Sequence, residues 1–214
     1  MALSKYKLGT LIQESFRKNS EMKFDVSYVR GISNNKQITL SKADVDSGVI
    51  HKFYIVNPGE FVYNPRTTRM GDKVGLGYNN THIPLLFSFN NIAFSIKESA
   101  KNILLPEYLY MFFNRSEFDR YAMTNGWGSA TELFSMEEMC DIDIKLPNLP
   151  TQQKYVDIYR YGCNPAVGSS GRTAWEAVPS LSAFLPKARR PSARRKRHGS
   201  SRPLSCCPIF RRKR

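Results

Sequence analysis

The feature that most constrains this chain is an abrupt change of composition at Arg160 to Gly162. Of 14 asparagines 13 lie in residues 1–160, and so do 12 of 13 isoleucines. Beyond the break the chain turns to Arg, Pro, Ser, Ala and Gly. Charge divides at the same place. Residues 1–160 hold 19 basic and 17 acidic groups, a net of +2. Residues 161–214 hold 13 basic groups and one acidic group, Glu176, a net of +12. The formal charge of +14 therefore belongs mostly to the second segment. Only the first has the mixture of apolar and polar residues that a packed core needs. The basic segment is expected to be disordered. Its run 187–197, KARRPSARRKR, is expected to bind polyanions without reading sequence.

Periodicity organises residues 1–160. Tyr6 to Phe16 predicts a helix, with Leu8, Leu11, Ile12 and Phe16 on one face and Asn19-Ser20 stopping it. Short strands are predicted over 24–29, 37–40, 52–56, 60–63, 74–78 and 83–89. Turn signals at Gly31, Asn34-Asn35, Gly48 and Pro58-Gly59 bound several of them. Ile92 to Ile96 alternates like a half-buried strand. Pro106 suits the first turn of a helix whose stripe runs through Leu109, Phe112, Phe113 and Phe118. Ser135 and Glu138 have capping-box spacing. Asp141 to Leu146 alternates as a strand. Thr151 is then expected to cap a short helix, Gln152 to Tyr159, which Gly162 and Pro165 break. The expected class is α+β, with a mainly N-terminal β-sheet and flanking helices.

Several function classes are disfavoured. No run of 18 or more apolar residues exists, so no membrane span is expected. Met1 to Ser20 lacks the apolar stretch of a secretory signal. The cysteines at 140, 163, 206 and 207 show no CxxC spacing, which predicts reduced thiols and a cytoplasmic protein. His51 and His82 stand outside any metal-ligand spacing, and no cofactor is expected. In Gly71 to Gly77 the lysine precedes Gly75, so the P-loop order is not met. Asn64-Pro65-Arg66 lacks the second proline and the aromatic residue of an amino-methyltransferase motif. Asp143-Ile144-Lys145 has the D-x-K form of Mg²⁺ nucleases, with Glu132, Glu137 or Glu138 as a further acid. Plain strand alternation is the preferred account, with Ile142, Ile144 and Leu146 inward, since alternation this clean needs no catalytic explanation. A non-specific nucleic-acid binder acting through the basic segment is the other alternative.

Pro58 to Asn80, PGEFVYNPRTTRMGDKVGLGYNN, combines a turn, a short strand, a polar loop and a glycine-spaced strand. The loop carries Asn64, Arg66, Thr67, Thr68, Arg69 and Lys73. Arginine forks onto guanine O6/N7 and asparagine pairs with adenine N6/N7. Threonine hydroxyls and exposed N–H groups suit phosphates. These six are the candidate DNA-binding residues; a solvated hairpin connection is the alternative.

Pro58 to Tyr78 resembles the signature of a target recognition domain from the specificity subunit of type I restriction-modification systems. Further similar stretches follow in order: Leu105 to Tyr110, Phe112-Phe113, Arg120-Tyr121, Gly128 to Ala130, Phe134 to Met139, and IDIKLPNLPTQQK over 142–154. The resemblance covers about residues 1–159. It implies a recognition domain over 1–149, the start of a spacer helix over 150–160, and an unrelated basic segment over 161–214. It also implies a non-catalytic subunit that recognises double-stranded DNA. A separate modification (methyltransferase) subunit would use S-adenosylmethionine, and a restriction subunit would use ATP and cut DNA. The family usually carries two recognition domains joined by two long helices; here one domain is legible.

Overall fold

A computed structural model of the protein describes residues 3–33, 35–41, 45–66, 73–126 and 133–162. The basic segment beyond 162, whose disorder was expected, lies outside the described residues. The elements run β1 (Ser4–Lys7), α1 (Leu8–Leu11), β2 (Ile12–Ser15), β3 (Arg30–Ile32), β4 (Ile38–Leu40), β5 (Tyr54–Val56), β6 (Phe61–Tyr63), β7 (Leu76–Tyr78), β8 (Leu85–Phe87), β9 (Ile92–Ile96), α2 (Pro106–Phe113), α3 (Ser116–Gly126), α4 (Met136–Cys140), β10 (Asp143–Leu146) and α5 (Leu149–Gly162). This is a mixed α and β architecture with several sheets.

The central sheet is antiparallel in the order β2-β9-β6-β7. Phe94 of β9 stands opposite Glu14 on one side and Phe61 on the other. A second ribbon pairs β5 with β8. The chain leaving β2 ties this ribbon to the sheet: the Ile55 N–H donates to Arg17 O at 2.8 Å and the Asn19 N–H to Phe53 O at 2.9 Å. β3 and β4 form a hairpin, and β1 pairs with β10. Ile92 to Ile96 is a strand, but both of its faces are covered. Ala93 packs with Val56, Val62, Leu85 and Phe87, while Phe94 and Ile96 enter the larger core. Strands packed on both sides lose the clean inside-outside alternation.

The larger core is an aromatic cluster between sheet and helices. Phe61 and Phe94 stack at 5.1 Å, and Phe113 of α2 meets both edge-on at 5.9 Å. Phe118 of α3 touches Phe113 at 4.9 Å and Phe134 at 6.0 Å. Removing one such ring costs about 3–5 kcal/mol, because a cavity is left as well as lost transfer energy.

The first segment departs from its expected helix. Tyr6 to Phe16 is the end of β1, one helical turn, and β2. Leu8, Leu11 and Ile12 are buried but Phe16 is 68% exposed. One turn is enough to put Leu8 and Leu11 on the same side. The flanks find strand partners in β10 and β9, and tertiary pairing outweighs helical propensity there. Gly9 allows this turn to close on α4, since a Cβ at that position would lie 2.7 Å from Cys140 Cβ. Residues 24–29 are also not a strand. Asp25 accepts the Ser27 N–H at 2.8 Å and starts a 3-10 turn over Val26–Tyr28.

The helix starts follow local chemistry. Pro106 opens α2. The Ser135/Glu138 capping box is complete, with Ser135 Oγ accepting the Glu138 N–H at 3.2 Å and Glu138 Oε2 accepting the Ser135 N–H at 2.7 Å. α5 begins earlier than expected. Asn148 rather than Thr151 is at its start, and Asn148 Oδ1 accepts the Thr151 N–H at 3.2 Å. Pro150 then occupies the first turn, where its missing N–H costs nothing. α5 docks on α2 through Tyr155 against Tyr108 and an Arg160–Glu107 pair at 2.9 Å. Gln152 is fully buried beneath it. Its Nε2 donates to Ile103 O at 2.7 Å and Pro147 O at 2.8 Å, while its Oε1 accepts the Leu105 N–H at 3.0 Å. No helix among the described residues is long and apolar enough to cross a membrane.

Candidate nucleic-acid interface

β6 and the edge strand β7 of the central sheet flank the candidate loop in sequence. Tyr63 stands opposite Leu76 as its last register pair, and the Asn64 N–H donates to Gly75 O at 2.7 Å. Two different feet then hold the loop.

The outgoing foot is Asn64–Arg66. Asn64 Oδ1 accepts the Arg66 N–H at 3.0 Å, an Asx turn that bends the chain away from the strand. Pro65 O accepts the Phe134 N–H at 2.8 Å, and Arg66 bridges Leu133 in antiparallel sense. The Phe134 ring is buried against Tyr63, Phe118 and Tyr121. The Tyr63 hydroxyl donates to Phe134 O at 3.3 Å. Burial pushes that phenol well above its ordinary pKa, with the Glu14 carboxylate adding to the effect, so it stays a neutral donor. Backbone and core thus fix the position of Arg66, while its side chain is exposed.

The return foot is Lys73–Val74. The Val74 N–H donates to Asp119 Oδ1 of α3 at 3.1 Å, and the same oxygen lies 2.7 Å from Lys36 Nζ. Lys36 sits at the tip of the β3–β4 hairpin with φ 58, and its side chain is 4% exposed. Its ammonium also donates to Phe113 O and lies 5.1 Å from the centre of the Phe118 ring. The Tyr110 hydroxyl holds Lys36 O at 2.7 Å. Burial pushes the Lys36 pKa down, and Asp119 opposes that shift. Gly77 lets the hairpin lie this close, because a Cβ there would be 2.8 Å from Ile38 Cγ1. Lys73 itself is exposed.

Of the six candidate residues, the structure brings Asn64, Arg66 and Lys73 to the feet of one loop. Thr67, Thr68 and Arg69 lie outside the described residues. Asn64 uses its carbonyl oxygen inside the protein, so its visible contribution is to shape the loop. Lys36, Asp119 and Phe134 were not singled out by the sequence. One signal was available: Phe118 and Ala122 stand four residues apart on a buried stripe of α3, Asp119 adjoins them on the same side, and a second charged residue, Arg115, is buried just before the helix.

The D-x-K strand has a different environment. Asp143 Oδ2 lies 3.0 Å from Lys5 Nζ and Oδ1 lies 3.7 Å from Lys7 Nζ. The Lys5 hydrogen bond holds its carboxyl below the usual range. Ile144 and Leu146 are buried and Lys145 is exposed, as strand alternation requires. Glu138 serves the capping box, and Glu132 lies outside the described residues. Among the described residues, no three His, Cys, Asp or Glu side chains gather as a metal-holding group.

Comparison with known proteins gives a likeness of fold. The chain is similar to the HsdS subunit from Thermoanaerobacter tengcongensis, at 15% identity and a TM-score of 0.53, over 74% of this chain and 41% of that one. A second solved structure, described by its authors in terms of complex assembly and conformational transition of the type I R-M system, has 14% identity and a TM-score of 0.42. That likeness covers 72% of this chain and 36% of the other. This chain therefore spans well under half the length of either. No family model matches, and no curated protein does.

Proposed function

We propose that this chain recognises a DNA sequence on behalf of a type I restriction-modification complex, and that the loop between β6 and β7 is the reader. The observation that carries the reading is the loop itself. Its outgoing foot is locked into the aromatic core and its return foot into a buried ion pair, while Arg66 and Lys73 are left exposed. Base reading needs a guanidinium held in register by a rigid frame, and phosphate contacts that position it. The fold likeness to an HsdS subunit supports the same reading, as do the stretches resembling specificity subunits. In this reading residues 1–149 are the recognition body and α5 begins a spacer. Arg66 and Arg69 read base edges, and Thr67, Thr68 and Lys73 touch phosphates. Asn64 sets the loop's exit. Catalysis belongs to a modification (methyltransferase) subunit and a restriction subunit, and this chain supplies the address.

The test is a salt titration on a randomised duplex DNA pool, with the full chain, a chain ending at Gly162, and Arg66→Ala. Each phosphate neutralised steepens the slope of log K against log[salt] by roughly 0.9. Removing the segment with net charge +12 should flatten the slope and weaken binding to all sequences alike. Arg66→Ala should cost about 1–3 kcal/mol on the selected site and much less elsewhere. A shortened chain with no sequence preference, or an Arg66 variant that weakens all sequences equally, would refute the reading.

A further inference from the structure

We propose that Asp119 is the positioning residue for the reading loop, acting through the Val74 backbone, with Lys36 as the buried counter-charge that lets its carboxylate sit there. The inference rests on the reading of that loop as the DNA contact. Asp119 is 7% exposed and projects from α3 toward both the return foot and the β3–β4 turn. One of its oxygens receives the Val74 N–H at 3.1 Å and the Lys36 ammonium at 2.7 Å. Lys36 in turn holds Phe113 O at the end of α2 and stands at the hairpin tip, whose own carbonyl is held by Tyr110. The return foot is therefore fixed to a helix through a side-chain acceptor, not through sheet pairing alone.

A buried ion pair is a costly way to add stability, since apolar residues of similar volume often do as well or better. What it does supply is a directional acceptor at one place. Lys36 offsets the buried charge of Asp119, and the Asp119 oxygen fixes where the chain re-enters β7. The distance between the two feet, and hence the frame across which Arg66 and Lys73 face the DNA, then depends on this acceptor. A misplacement of an ångström is enough to break bidentate geometry.

Two double variants of the full chain separate this role from simple stability. Lys36→Met with Asp119→Asn removes both charges but keeps a side-chain oxygen for the Val74 N–H. Lys36→Met with Asp119→Leu removes the acceptor too. Native-state hydrogen exchange of the segment 73–78 is read against that of Ile92–Ile96, which reports whether the sheet is intact. The leucine variant should exchange 73–78 at least tenfold faster while 92–96 keeps its protection. It should also lose its preference within the DNA pool, while low-salt affinity for random DNA is unchanged. The asparagine variant should stay close to the native chain in both readouts. Unchanged exchange at 73–78 in the leucine variant overturns the proposal, as does an asparagine variant as impaired as the leucine one. If the native chain has no sequence preference but exchange at 73–78 rises in the leucine variant alone, the positioning stands and the DNA-reading function falls.

Discussion

Replacing Gln152 by methionine should unfasten α5 from the body. The side chain is fully buried and spends its amide on three backbone groups: Ile103 O, Pro147 O and the Leu105 N–H. Methionine has nearly the same length and volume, so no cavity term enters. The cost is the desolvation of three groups left without partners, at about 1–3 kcal/mol each and nearer the lower figure for carbonyls, which gives about 3–5 kcal/mol. That is a large share of the roughly 5–15 kcal/mol that holds an ordinary domain. Gln153→Met is the internal control. Gln153 is exposed and its amide meets only Asp157, at 2.8 Å, so its loss should cost on the order of 0.5 kcal/mol or less. Urea unfolding followed by far-ultraviolet circular dichroism measures both variants. A Gln152→Met loss below about 1 kcal/mol, or one equal to that of Gln153→Met, would refute the argument that this amide anchors the helix.

In the presence of Mg²⁺ the purified chain should neither cut nor methylate DNA; nicking that disappears in Asp143→Ala would replace the recognition reading by a nuclease. Alkaline stability should follow the buried phenols. Burial raises the pKa of Tyr78 and Tyr108 to about 12 and that of Tyr63 still higher. A folded pKa above the unfolded value means stability that is complete below about pH 10 and lost as pH rises toward 12, at about 1.4 kcal/mol per pH unit for a well-buried phenol and less for the partly exposed Tyr78. Spectrophotometric titration should show these phenolates appearing only as the fold is lost. All tyrosines ionising together near pH 10 in an intact fold would contradict it.

Local chemistry was legible in the sequence where it decided the structure. The turns around Pro58-Gly59, the proline opening α2 and the Ser135/Glu138 box all gave elements close to those observed, because each signal acts within four residues. Tyr6 to Phe16 was not legible. Whether Leu8, Leu11 and Ile12 sit on a helix or in strands is settled by β9 and β10, whose partners are far along the chain. The start of α5 was misplaced because Asn148 and Thr151 are both good caps and only the packing chooses. For the candidate site, the loop's polarity marked it out, but its feet did not show. Lys36 lies in a turn that reads as solvated, and only its burial against α2 and α3 sets it apart. Asp119 could have been found as a carboxylate on the apolar stripe of an amphipathic helix.

The pairing of β1 with β10 has a consequence for how the chain is made. Ser4 faces Leu146, and Tyr6 faces Ile144, across nearly the whole described body. At a synthesis rate of roughly 5–20 residues per second, β1 leaves the ribosome on the order of ten seconds or more before its partner does. During that interval the aromatic cluster exists only in part, since Phe134, Ile142 and Ile144 have yet to arrive. Contacts this distant close slowly. The nascent chain therefore passes through a stage with an unpaired edge and exposed rings, the stage at which a holding chaperone would have most to bind.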